Sequence, residues 1–204
     1  MDEKRRRFLE LLKSTSFQSK PDPVFRLASG KLSRHYVDCK QALSDPEARA
    51  LIADFICDRL KGETIDAVGG LEIGAYPIAT SVSDTIYRLT GVKVQAFVVR
   101  KEPKTHGIRD LIAGNVHNGD KVLIVDDVVT EGTSTLKAIT AARKAGLRVD
   151  RVIVLVDREE ADGRKNIEAA GVRFEALCTL RELIDFSDDS YQVKGHHAHQ
   201  GGVV

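Results

Sequence analysis

From about residue 45 onward, amphipathic stretches and wholly apolar runs alternate along the chain. Leu51, Ile52, Phe55, Ile56 and Leu60 recur at helical spacing behind Asp45 and Pro46, a capping acid followed by a first-turn proline, and predict a helix closing at Gly62. IDAVGG at 65–70 reads as a buried strand that breaks at glycines, and a helix follows over 77–89 with Gly91 as its stop. VKVQAFVV, KVLIVDD and RVIVLVD, near residues 93, 121 and 151, repeat the buried-strand pattern, with a helix over 133–145 between the last two. Residues 159–170 predict a further helix ending at Gly171, then VRFEALC a strand and TLRELIDF a short helix. Strands that are apolar throughout, alternating with helices, predict an α/β fold with a central parallel sheet covered on both faces. Such sheets bind ligands beyond the carboxyl ends of their strands.

Two stretches break the alternation. Residues 14–44 read as strands and turns outside the main sheet, so that residues 1–44 form a small N-terminal hood over its ligand edge. Residues 100–119 are rich in Lys, Arg, His and Gly, with too few apolar positions to pack, and are expected to act as a mobile lid. No repeat or linker divides the 204 residues, so one domain is expected.

Charge narrows the choices further. Lys and Arg total 31 against 30 Asp and Glu, a balance that offers no global attraction to nucleic acid or to an anionic membrane, so any anion site must be local. Arg5, Arg6 and Arg7 precede Phe8, Leu11 and Leu12 at helical spacing and read as a solvated helix face. Cys39, Cys57 and Cys178 are odd in number and lack metal-ligand spacing, which suits reduced core thiols. With no signal-like or membrane-spanning run, a cytoplasmic protein is expected. The terminal HHAHQGGVV, with His196, His197 and His199, reads as a frayed end.

The chemistry is concentrated in VLIVDDVVTEGTSTLKAI, residues 122–139. An apolar strand delivers Asp126 and Asp127, and the loop Val128, Val129, Thr130, Glu131, Gly132, Thr133, Ser134 leads into a helix. Free N–H groups at such a loop and helix start, aided by the helix dipole, cradle a phosphate monoester. Gly132 allows close approach and the hydroxyls add donors. Two carboxylates there would repel the phosphate, so they are expected to accept hydrogen bonds from ribose hydroxyls and to stabilise a ribose ring that turns cationic. No Gly-Lys-Ser/Thr follows the glycine, which excludes a nucleotide-triphosphatase P-loop. Arg100, Lys101, Lys104 and His106 gather positive charge in the lid, where a pyrophosphate leaving group needs it. Glu72 and Asp157 are expected to orient backbone or solvent.

Residues 122–139 resemble the phosphoribosyl pyrophosphate signature of type I phosphoribosyltransferases. Three further segments are similar to the orotate phosphoribosyltransferase family: FRLASGKLSRHYVDCK (25–40) to its base-binding segment, GGLEIGAYPIA (69–79) to its pyrophosphate loop, and FVVRKEPKTHG (97–107) to its mobile catalytic loop. The resemblance covers nearly the whole chain. It implies transfer of phosphoribose to N1 of orotate, in a homodimer whose catalytic loops reach into the neighbouring subunit's site. By the same resemblance, Arg158 contacts orotate, Tyr36 covers the base, Thr130 lies where base and phosphate sites meet, and Lys31 is a second candidate cation. Some members carry lysine at the position of Ala28 or near Gly74; this chain has neither. Mg2+ is expected to arrive on the substrate's pyrophosphate and ribose oxygens, with no ligand directly from the protein. Two other readings share the signature: a purine phosphoribosyltransferase, and a non-catalytic sensor of phosphoribosyl pyrophosphate.

Overall fold

A computed structural model describes residues 1–27, 30–102 and 111–186. Helix α1 (Glu3–Ser16) starts at Asp2, whose carboxylate accepts from the Arg5 amide, and turns Phe8, Leu9 and Leu12 into the core. After it, β1 (Phe17–Ser19) pairs antiparallel with β4 (His35–Val37). Between these two, β2 (Phe25–Arg26) and β3 (Leu32–Ser33) make a second antiparallel pair. Both ribbons lie outside the main sheet, as the sequence leads one to expect, and the short α2 (Lys40–Ser44) closes the region.

Helix α3 (Pro46–Arg59) begins where Asp45 and Pro46 place it, with the Asp45 carboxylate 2.9 Å from the Ala48 amide. Then come β5 (Ala67–Leu71), α4 (Ala75–Thr90), β6 (Gln95–Val99), β7 (Ile112–Gly114), β8 (Lys121–Val129) and α5 (Thr133–Lys144). The chain continues through β9 (Arg148–Asp157), α6 (Gly163–Ala169), β10 (Arg173–Thr179) and α7 (Leu180–Asp185). The six-stranded sheet has the order β10-β9-β8-β5-β6-β7, parallel except for β7. From β5 the chain builds outward to β7, then returns to β8 on the other side. The carboxyl ends of β5 and β8 therefore flank a topological switch, where open α/β sheets form their ligand crevice.

Strand β8 shows why the strands read as continuous apolar runs. Leu123 and Val125 join the core under α1, α3 and α4, while Val122 and Ile124 join the one under α5 and α6. Each such side chain, fully removed from water, stabilises by about 1.5–3 kcal/mol.

Two expectations are corrected. The segment 100–119 is not polar throughout its length: residues 112–114 form an edge strand, with Leu111, Ile112 and Val116 packed against the core. An edge strand needs only one apolar face, so few residues suffice. The helix expected from 159 begins at Gly163, because Glu159 takes a left-handed φ of 54° and Arg158 and Glu160 are bonded to the hood. Among the described residues no helix is long and apolar enough to cross a membrane.

Candidate active site

The loop after β8 has the geometry a phosphate requires. Gly132, at the start of α5, has φ +80°, and a Cβ there would lie 3.1 Å from the Gly163 carbonyl and the Ile167 side chain. The Gly163 backbone amide donates to the Thr130 carbonyl at 3.1 Å, and the Asn166 side-chain amide to that of Glu131 at 3.0 Å, so α6 braces the loop from behind. Among the described residues the N–H groups of 131–134 meet no backbone acceptor, and Thr133 and Ser134 are exposed. Strand β8 runs on to Val129, however, so the acids lie inside the strand and not at its end. Val129 is buried and its carbonyl accepts from the Arg158 amide; Val128 packs against the other core.

Because successive strand residues point to opposite faces, Asp126 and Asp127 part company. Asp126 is 5 % exposed; its carboxylate accepts from the Thr135 hydroxyl at 2.7 Å and from the Asp127 amide at 3.0 Å. Burial, reinforced by Asp127, pushes its pKa up from 3.8 to about 7. Asp127 is half-exposed and stands against Gly74 in the loop between β5 and α4, where any Cβ would be 2.6 Å from its carboxylate carbon. Of the two acids, then, Asp127 is the one that lines the crevice.

The raised pKa has a consequence for stability. Between the unfolded value near 3.8 and about 7, the folded chain holds the Asp126 proton that the unfolded chain has released. This group's contribution is thus greatest at the acid end of that window and is lost as pH rises through it. Urea midpoints measured across the window should decline less steeply in Asp126→Asn than in the unaltered chain; equal slopes would rule out the buried proton.

Of the residues expected to meet the base, Arg158 is 4 % exposed and bound to Glu160, Ser33 and the His35 carbonyl. Tyr36, 37 % exposed, stacks on Phe25 with centroids 5.5 Å apart. Thr130 is half-buried beside the phosphate loop, whereas Lys31 is exposed, close enough to Asp162 to contribute to lowering its pKa, after the dominant bond from Lys165.

On the opposite flank, Arg100 donates its amide to the Leu111 carbonyl, and its Nε is buried with no acceptor among the described residues. The Lys101 amide donates to Glu72 Oε1 at 2.8 Å, so Glu72 orients backbone, as does Asp157, which accepts from the Glu159 amide. Arg100, Lys101, Thr133, Lys137 and Lys144 share a cleft of about 420 Å³ with an apolar floor of Leu71, Val99 and Leu136. Lys104 and His106 lie outside the described residues, as do His196, His197 and His199. A roomier cavity, about 590 Å³, opens at the amino ends of β5 and β6, away from all of these groups.

Sequence reasoning missed Lys40. Asp38 holds its ammonium at 2.9 Å and raises its pKa, and Asp127 and Tyr36 contribute in the same direction, which places Lys40 on the crevice side of the hood. No spacing marks it, because Asp127, the acid it faces across the crevice, lies in a distant segment. Ser33, His35 and Glu160 were missed for the same reason.

The phosphoribosyl transferase domain family matches residues 40–175. An orotate phosphoribosyltransferase of Aquifex aeolicus is 44% identical over 180 residues, covering 88% of this chain and 97% of the relative. One from Methanocaldococcus jannaschii is 41% identical over 159 residues, 78% of this chain and 86% of that protein. The crystal structure of Mycobacterium tuberculosis orotate phosphoribosyltransferase in complex with 5-phospho-alpha-D-ribosyl 1-diphosphate superposes with a TM-score of 0.70 at 34% identity, over 88% of this chain and 98% of that one. An adenine phosphoribosyltransferase from Thermoanaerobacter pseudethanolicus, at 23% identity and a TM-score of 0.58, shares the fold alone. A parallel sheet with this crevice, an acid-bearing strand leading into an open phosphate loop, and near full-length identity above 40% converge on one assignment: the chain belongs to the orotate phosphoribosyltransferase family, on the type I phosphoribosyltransferase fold.

Proposed function

We propose that the protein transfers the phosphoribosyl group of phosphoribosyl pyrophosphate to N1 of orotate, giving orotidine 5'-phosphate and pyrophosphate. The observation that carries this reading is the open row of amides at 131–134, with Asp127 facing the crevice beside it. The amides and the Thr133 and Ser134 hydroxyls hold the 5'-phosphate at the start of α5. Asp127 accepts from ribose hydroxyls, and its charge favours the ring as positive charge develops at the anomeric carbon. As the bond from that carbon to the pyrophosphate oxygen breaks, the bond to orotate N1 forms on the opposite face and the N1 proton leaves to solvent or to the departing pyrophosphate. Arg100 and Lys101, joined by Lys104 and His106 of the catalytic loop, neutralise the departing pyrophosphate. One charge pair at 4 Å gains about 1 kcal/mol in water and about 4 kcal/mol at an effective dielectric near 20, so excluding water multiplies what these cations supply.

Arg158 is the fixed cation for the orotate carboxylate, Tyr36 covers the flat base, Thr130 joins the two subsites, and Lys31 is the second cation at the hood. Mg2+ arriving with the substrate would supply further charge neutralisation at the pyrophosphate. Asp127, half-exposed beside the ribose position, would meet that ion through the ribose hydroxyls and its waters, in keeping with an ion that retains several waters.

Residues 1–44 act as the hood of one domain, and the lid is the part of 100–119 that precedes β7, since β7 itself belongs to the main sheet. The working form is a homodimer with shared sites; exposed Ile73, Tyr76, Tyr87, Leu89 and Val92, on and beside α4, support an apolar subunit contact. Three free thiols support a cytoplasmic setting. Orotate loss followed by absorbance, with phosphoribosyl pyrophosphate and magnesium present, should proceed, stop on chelation, and have no counterpart with hypoxanthine. Consumption of hypoxanthine, or of neither base, would remove this function.

A further inference from the structure

Arg158, on which base recognition depends in the reading above, is held by contacts that join two distant parts of the chain. Its Nε donates to Glu160 Oε2 at 2.8 Å, and its Nη2 reaches the same oxygen at 2.6 Å and the His35 carbonyl at 2.8 Å. The Ser33 hydroxyl donates to the other oxygen, Glu160 Oε1, at 2.8 Å, lies 3.4 Å from Nη2, and accepts from the His35 amide at 3.1 Å. Ser33 and His35 belong to β3 and β4 of the hood, whereas Arg158 and Glu160 directly follow β9. Ser33 and Arg158 are both buried.

A guanidinium has five N–H bonds in a rigid fork. Here Nε spends its one on Glu160, and Nη2 spends its two on the Ser33 hydroxyl and the His35 carbonyl while standing 2.6 Å from the Glu160 carboxylate as an ion pair. Only Nη1 has no acceptor among the described residues. A carboxylate bound this closely also cancels much of the guanidinium's charge. The arrangement therefore gives up long-range attraction and gains direction, since a buried arginine with two saturated nitrogens has one orientation left.

We propose that Ser33 and Glu160 are positioning residues for the base. They lock Arg158 so that Nη1 is presented to the carboxylate of orotate, and because Ser33 comes from the hood, seating the hood and presenting the cation are one event. A glutamate that merely competed with the substrate carboxylate would instead weaken binding, and its removal would improve it. The Ser33 bond favours positioning, because a competitor has no use for a hood hydroxyl that fixes it in place.

The two ideas separate in steady-state kinetics, given a chain that turns over orotate at all; absence of turnover in the unaltered protein would refute the assigned reaction and not this inference. Glu160→Gln should raise the KM for orotate about tenfold and Ser33→Ala about fivefold, with kcat at saturating orotate and the KM for phosphoribosyl pyrophosphate within about twofold of the parent. The double variant should lose less than the product of the two, since both changes release the same guanidinium. Ser33→Thr, which keeps the hydroxyl, should recover most of the Ser33→Ala loss. Ser33→Ala removes a single oxygen and serves alone if loss of the Glu160 charge lowers the yield of folded protein. An unchanged or lowered KM for orotate, or an equal rise for both substrates, would overturn the proposal.

Discussion

Exchanging Asp127 for asparagine is expected to lower kcat/KM for phosphoribosyl pyrophosphate by about a hundredfold to a thousandfold, the range seen when one electrostatic stabiliser of a charged transition state is removed. The substitution preserves shape, so the space beside Gly74 stays filled, and it removes only the negative charge that faces the crevice. Asp127 is half-exposed, and its loss should leave the thermal midpoint nearly unaltered. Asp126, with its carboxylate turned to Thr135, gives the contrast: its asparagine variant changes the pH dependence of stability more than the chemistry. Steady-state kinetics with a parallel melting curve distinguish the two acids. An Asp127→Asn enzyme within about fivefold of the parent would take that carboxylate out of the mechanism.

Lys101→Ala should cost about a hundredfold in kcat if the ammonium acts mainly on the leaving group in the transition state. The test is cleaner than most lysine replacements because the bond that fixes this residue to Glu72 comes from its backbone amide, which alanine keeps. The backbone at Lys101 thus stays anchored while the charge disappears. A rise in KM with kcat unchanged would instead mean that Lys101 binds substrate and transition state equally. Unchanged kinetics would remove it from the reaction.

The main sheet was legible because its chemistry is local. Strands buried on both faces leave no polar alternation to misread, Asp45 caps α3 through its own neighbour's amide, and Gly91, Gly146 and Gly171 all adopt the left-handed φ that ends a helix. Legibility failed where a residue's partner lies far away in sequence. Arg5 was read as part of a solvated face, yet it donates to the Leu177 carbonyl and pairs with Glu182 at 2.7 Å, fastening α1 to the far edge of the sheet. Arg7, by contrast, makes an exposed pair with Glu47 of the kind that contributes little. The start of α6 is decided by Arg158 and Glu160 reaching some 125 residues back to the hood. Adjacency of the two acids is visible in the sequence, whereas the end of β8 at Val129, and so the turning of the two side chains to opposite faces, is not.

The central claim is that the main chain after Asp127 grips a sugar 5'-phosphate. Amide NMR during titration with phosphoribosyl pyrophosphate and magnesium addresses it directly. Saturable shifts should concentrate at the amides of Glu131, Gly132, Thr133 and Ser134, with the largest at Gly132 or Thr133. Saturation that leaves those four amides unmoved, or no binding at all, would contradict it.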